Sequence, residues 1–182
     1  MEAKAVMTNE RLRAIVAAAM IGGLIAVVPQ TGCAGPSMPA HYDKHETIVT
    51  DTFESGPDGG TFQPPLRGLP TDGVSLELPK HSVNQPVTLS LGYCKGDIHL
   101  AAGTPAGVVL SIGAKPQPRF QQPLKILVMF RPDPKYQTLV GYAIDETGRF
   151  HSIDLVDLDM KQGRVTFLTF QPLTLTWAYV GR

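Results

Sequence analysis

The sequence predicts an all-β fold, an antiparallel sandwich of two sheets and about nine strands behind an N-terminal signal helix. Three observations carry that expectation. Apolar residues recur at every second position in run after run, as in Val74-Ser75-Leu76-Glu77-Leu78, which places them on one face of a strand. Gly 18 and Pro 16 in 182 residues make about a fifth of the chain, against a usual share of about 12%, so the chain turns often. Beyond residue 33 no segment sustains the 3.6-residue period of an amphipathic helix.

The strands follow in order. A short one is expected at Thr47 to Phe53, then Val74 to Leu78. Val87, Leu89, Leu91 and Tyr93 alternate with Thr88, Ser90 and Gly92, and Val108 to Ile112 makes the next short strand. Leu124, Ile126, Val128 and Phe130 form one face of a strand whose other face, Leu127 and Met129, is also apolar, which marks it as central. Thr138 to Ile144 follows; then Val156, Leu158 and Met160 oppose Asp157 and Asp159, and Val165 to Phe170 leads into Leu173, Leu175, Trp177 and Tyr179. Between them lie Gly56-Pro57-Asp58-Gly59-Gly60, Thr71-Asp72-Gly73, Arg131-Pro132-Asp133-Pro134, Glu146-Thr147-Gly148 and Lys161-Gln162-Gly163, where proline presets φ and glycine accepts positive φ. Trp177 keeps the phase of Leu173 and Leu175 and is expected in the core rather than as a sugar-stacking platform.

Ahead of the strands the composition changes. Lys4, Arg11 and Arg13 precede Ala14 to Val28, a run without a polar side chain that ends at Pro29, the layout of an export signal. As a helix those residues would reach about 22 Å, short of the roughly 30 Å hydrocarbon core, which favours cleavage over permanent spanning. Gln30-Thr31-Gly32-Cys33-Ala34-Gly35 resembles the lipobox of bacterial lipoprotein signals, although that family usually has an aliphatic residue where Gln30 stands. The resemblance implies cleavage before Cys33, acylation of its thiol and attachment to a membrane. With Ala34 rather than aspartate after the cysteine, it further implies delivery to the outer membrane of a two-membrane bacterium. An ordinary secretory signal cut after Ala40, or an uncleaved weak anchor, also delivers the domain outside the cytoplasm.

Residues 1–32 are thus read as signal peptide, 33–45 as a tether and 46–182 as one domain. A domain of this size buries enough surface to need no metal or disulfide staple. Cys33 and Cys94 are the two cysteines. Lipid on Cys33 leaves Cys94 as a small buried residue at a strand end; in an unlipidated chain the pair could form a disulfide.

Gly59-Gly60-Thr61-Phe62, then Gly73-Val74-Ser75-Leu76-Glu77-Leu78-Pro79-Lys80, Pro86-Val87-Thr88-Leu89 and Phe120-Gln121-Gln122-Pro123-Leu124-Lys125-Ile126 form an ordered series. It resembles the ZU-five domain of zonula occludens proteins, netrin receptors and ankyrins, over about Thr47 to Val180. The resemblance implies a β-sandwich that binds other proteins, without cofactor and, in most members, without chemistry. Some relatives cleave themselves at a His-Phe-Ser triplet. Thr169-Phe170-Gln171 stands at that place here and lacks both histidine and nucleophile, so self-cleavage is not carried over.

The remaining chemistry is sparse. Charged residues make 18% of the chain, and Lys+Arg 16 balance Asp+Glu 16, so nothing neutralises a phosphate backbone and no nucleic-acid partner is expected. There is no GxSxG, phosphate loop, HExxH or paired CxxC. His81-Ser82 and His151-Ser152 would face opposite sides of a strand, which precludes a preformed dyad. His41 and His45 could hold a divalent metal at i, i+4 of a helix, but they fall in the tether. Asp154, Asp157 and Asp159 lack a wrapping glycine loop and read as a polar strand face, with Arg149, Lys161 and Arg164 nearby. No catalytic, cofactor or metal residue is assigned, and Cys33 is the one site residue. The expected function is a non-catalytic protein-binding or structural module of the cell envelope with an envelope protein as partner; a hydrolase with an unrecognised site and a solute- or polysaccharide-binding sandwich are the alternatives.

Overall fold

Wherever the sequence alternates, the chain is extended. The computed structural model describes residues 40–181, which form twelve strands and no helix. They are β1 (His41–Ser55), β2 (Gly60–Phe62), β3 (Val74–Leu78), β4 (Val87–His99), β5 (Thr104–Pro105), β6 (Val109–Lys115), β7 (Leu124–Met129), β8 (Thr138–Ile144), β9 (Phe150–Ser152), β10 (Asp154–Asp159), β11 (Arg164–Thr169) and β12 (Leu173–Val180). The nine expected strands are all present. The additions, β2, β5 and β9, have two or three residues each, too few to show a period. The signal segment, Cys33 and the rest of the chain up to residue 39 lie outside the described residues.

Two antiparallel sheets result. The seven-stranded sheet runs β1-β4-β6-β12-β8-β9, with β5 added beside β12, and the five-stranded sheet runs β10-β11-β7-β3-β2. Their facing sides share one core. Leu76, Leu124, Ile126, Val165 and Phe167 from the smaller sheet meet Leu89, Leu91, Leu110, Leu175 and Trp177 from the larger, a sandwich-like arrangement. β7 is the middle strand of the smaller sheet, as expected, but only its Leu124, Ile126, Val128 face is buried; on the other, Met129 is 47% exposed. β12, last in chain order, lies in the middle of the larger sheet between β6 and β8. It is buried on both faces: besides Leu175 and Trp177, Thr176 and Ala178 are covered, and the Thr176 hydroxyl donates to the Val108 carbonyl at 3.3 Å.

Two expectations need correction. Residues 41–45 are not tether but the start of β1, paired through His41↔His99, Tyr42↔Ile98 and Asp43↔Asp97 with the far end of β4. The reason is Tyr42. Its side chain is 2% exposed and joins Cys94, Val109 and Ile144 in a second apolar cluster on the face of the larger sheet turned away from the main core. One aromatic among polar neighbours gives no period to read, yet it pins the segment. The second correction concerns β10, where Val156 is 54% exposed instead of sharing a face with Leu158. The β10–β11 register shifts between Leu155 and Asp157, so a bulge resets the phase and Leu155, not Val156, packs with Leu158 and Met160 against the core.

Candidate functional site

At one end of the larger sheet its two outer strands approach each other. The Tyr42 N–H donates to the Gly148 carbonyl at 2.9 Å, and His41 forms an isolated antiparallel bridge with Arg149. Beside this seam opens a groove of about 1620 Å³, lined by the start of β1, the β8–β9 turn, β9 and the chain leading into β12. Its lining mixes apolar Tyr42, Ile144 and Phe170 with charged Asp43, Arg119 and Asp145.

The β8–β9 turn is organised by Asp145. Its Oδ1 accepts from the Thr147 N–H at 2.8 Å, the Thr147 hydroxyl at 2.7 Å and the Arg149 N–H at 3.0 Å. The other oxygen, Oδ2, lies 2.8 Å from His151 Nε2. The His151 bond, then those from the Thr147 hydroxyl and Arg149, hold the carboxyl well below the usual carboxylate range. His151 is thereby oriented by the turn, while Ser152 is the next residue along β9, so its side chain leaves the opposite face.

Across the seam, the exposed face of the β1–β4 ribbon carries imidazoles and carboxylates together. His41 Nε2 is 3.0 Å from Asp43 Oδ1 and His99 Nε2 is 3.4 Å from Asp43 Oδ2. The bulge that shifts the register between Lys44 and Glu46 leaves His45 free to reach Asp97, at 3.8 Å. Only the HYDKH segment was noticeable in the sequence. His99 and Asp97 come opposite it through strand register, a pairing across more than fifty residues that composition does not announce. Among the described residues no three His, Cys, Asp or Glu side chains are grouped to hold a metal ion.

The other singled-out residues are scattered. His81 sits at positive φ in a loop, and the neighbouring Ser82 is buried. Asp157 faces Arg164 Nη2 at 3.6 Å. Asp159 accepts from the N–H groups of Gln162 and Lys161, which cap the β10–β11 turn and lower its carboxyl below the usual range, Gln162 most. Arg149, expected beside these aspartates, is at the seam instead. Cys94 is a buried free thiol with the Thr47 hydroxyl at 3.4 Å.

Tyr42 gives the groove a measurable signature. Burial foremost, then the neighbouring Cys94 thiol and Asp97 carboxylate, push its phenol from 10.0 up to about 12. The folded chain therefore keeps this proton where the unfolded chain releases it, so the stability it contributes is complete below pH 10 and is lost as pH rises towards 12. In an ultraviolet titration of phenolate absorbance, Tyr42→Phe is expected to remove a late-titrating phenol while the early ones stay. Loss of an early phenol instead would show the ring to be solvated.

No protein-family model and no curated protein matches this chain.

Proposed function

We propose that this chain is an exported lipoprotein, acylated on Cys33 and held at the outer membrane, whose sandwich acts as a non-catalytic protein-binding or structural module of the cell envelope. The observation that carries the reading is positional. Gly32-Cys33 follows the basic and apolar signal segment and stands eight residues before His41, where β1 begins. Those eight residues reach no more than about 29 Å even fully extended, so a lipid on Cys33 would keep the seam end of the larger sheet close to the bilayer. The groove beside that seam is the surface this reading assigns to an envelope protein partner. The ZU-five-like part of the reading is supported by the all-β core, with β2, β3, the start of β4 and the start of β7 falling within the four motif segments.

A secreted, unlipidated domain is the second reading, favoured by Ser37-Met38-Pro39-Ala40 standing directly before β1, so that cutting there would spare every strand. Intact mass and N-terminal sequence of the mature protein from fractionated cells separate the two. Lipidation is expected to give a start at Cys33 with an acyl mass increment, membrane fractionation, and loss of both in Cys33→Ala. A start at His41 without added mass would overturn it.

A further inference from the structure

β9 is an outer strand of the larger sheet, paired with β8 alone. Two bonds flanking that pair fix which of its backbone groups face outward. The Asp145 N–H donates to the Arg149 carbonyl at 3.0 Å, and the Ile153 N–H to the Gly141 carbonyl at 3.4 Å. Antiparallel pairs alternate between bonded and non-bonded positions. Ala143↔His151 is therefore a bonded pair, whereas Ile144↔Phe150 and Tyr142↔Ser152 are not. The N–H and C=O groups of Phe150 and Ser152 thus point away from β8, towards the free edge. That edge borders open space. His151, Ser152, Ile153 and Asp154 all line the groove, although consecutive strand residues send their side chains to opposite faces.

β1 reaches the same edge at the seam. With the Tyr42 N–H on the Gly148 carbonyl and His41 bridged antiparallel to Arg149, each step back from His41 answers to one step forward from Arg149. Continued upstream, this ladder sets Ala40 opposite Phe150, Pro39 opposite His151 and Met38 opposite Ser152. Bonded positions alternate from Tyr42, so they fall at Ala40 and Met38, facing the two β9 residues whose backbone groups are free. Pro39, with no N–H to give, falls at the non-bonded position between them, where proline is tolerated. Met38, Ala40 and Tyr42 also recur at every second position, in the phase that puts Tyr42 in the second apolar cluster beside Phe150.

We infer that residues 37–40 add to the free edge of β9 as an antiparallel strand, so that the chain entering β1 joins the two outer strands of the larger sheet. The occupant of the edge is this chain's own upstream segment, because ladder register, proline position and apolar phase all agree on it. An envelope partner then meets the groove through side chains, since the β9 backbone is already engaged. The pairing does not depend on acylation. Where the lipoprotein reading holds, Ser37 stands four residues after Cys33, a reach of about 14 Å, which sets the β9 edge at the membrane.

The test is amide hydrogen exchange of the full-length chain in detergent micelles, read at Ser152, which is expected to be protected. Met38→Pro removes the N–H that the Ser152 carbonyl would accept and is expected to lower the protection of Ser152 by about tenfold or more. Pro39→Ala, at the non-bonded position, should leave it unchanged. Both substitutions lie outside the twelve strands, and unchanged protection at Ile126 in β7 verifies that each variant is folded. Cys33→Ala should keep Ser152 protected, so the pairing and the lipoprotein reading stand or fall separately. An unprotected Ser152 amide in the unaltered chain, or protection that survives Met38→Pro, would overturn the inference. So would protection that falls on dilution, which would assign the edge to a second copy of the chain.

Discussion

Trp177→Ala is expected to cost about 3 to 5 kcal/mol of folding stability, a large part of the roughly 5 to 15 kcal/mol that holds a domain of ordinary size. The indole is 3% exposed, sits in the middle strand of the larger sheet, and lies 6.4 Å from the Phe167 ring of the smaller one. It therefore spans the two layers, and deleting it leaves a void that β8 and β11 cannot close without breaking their own pairing. Urea unfolding followed by far-ultraviolet circular dichroism measures this, because the substitution removes the single tryptophan of the chain and with it the fluorescence signal. Trp177→Phe, which keeps an aromatic ring between the sheets, should retain most of the stability. A fully stable alanine variant that has lost a ligand would instead assign the ring to binding.

Gly163→Ala is expected to cost about 2 to 4 kcal/mol. The residue closes the β10–β11 turn at φ 66°, where an L side chain is strained, and a Cβ there would fall 2.1 Å from the Phe130 carbonyl oxygen and 2.9 Å from Pro132 Cδ. The carbonyl of Gly163 also accepts from the Phe130 N–H at 2.7 Å, so the turn cannot slide away without losing that bond. Gly68 is the control. At φ 75° it has nothing within 4 Å of its Cβ position, so Gly68→Ala should show the backbone strain alone, about 1 kcal/mol. Thermal unfolding of both variants separates strain from collision; equal melting temperatures would mean that the crowding at Gly163 relaxes freely.

The contrast between those two glycines resembles the contrast between what the sequence made legible and what it concealed. The bounds of β3 and β8 were legible to the residue; β3 buries one face of a regular pleat, while β8 sends Leu139 into the main core and Ile144 into the second cluster on the opposite face. Alternation missed the first residues of β1, where a lone tyrosine does the anchoring, and it misplaced the inward face of β10, where one extra residue resets the period. The candidate site was less visible than the fold. Each histidine and aspartate of the ribbon could be seen, but HYDKH read as tether because its partners, Asp97 and His99, lie on β4 and meet it only through register. His151 was weighed only beside Ser152; its partner Asp145, six residues earlier in the turn before β9, carried no motif to mark it, and the sequence gives no sign that the turn leans on His41.

The place of β12 bears on how the chain acquires its shape. The strand that divides the larger sheet is synthesised after the other eleven described strands. Until it arrives, β1, β4 and β6 can pair on one side and β8 with β9 on the other, each group presenting an unpaired edge towards the gap. Such edges are templates for pairing with other chains. The hazard is greatest between the synthesis of β8 and the insertion of β12, when both edges of the gap stand open.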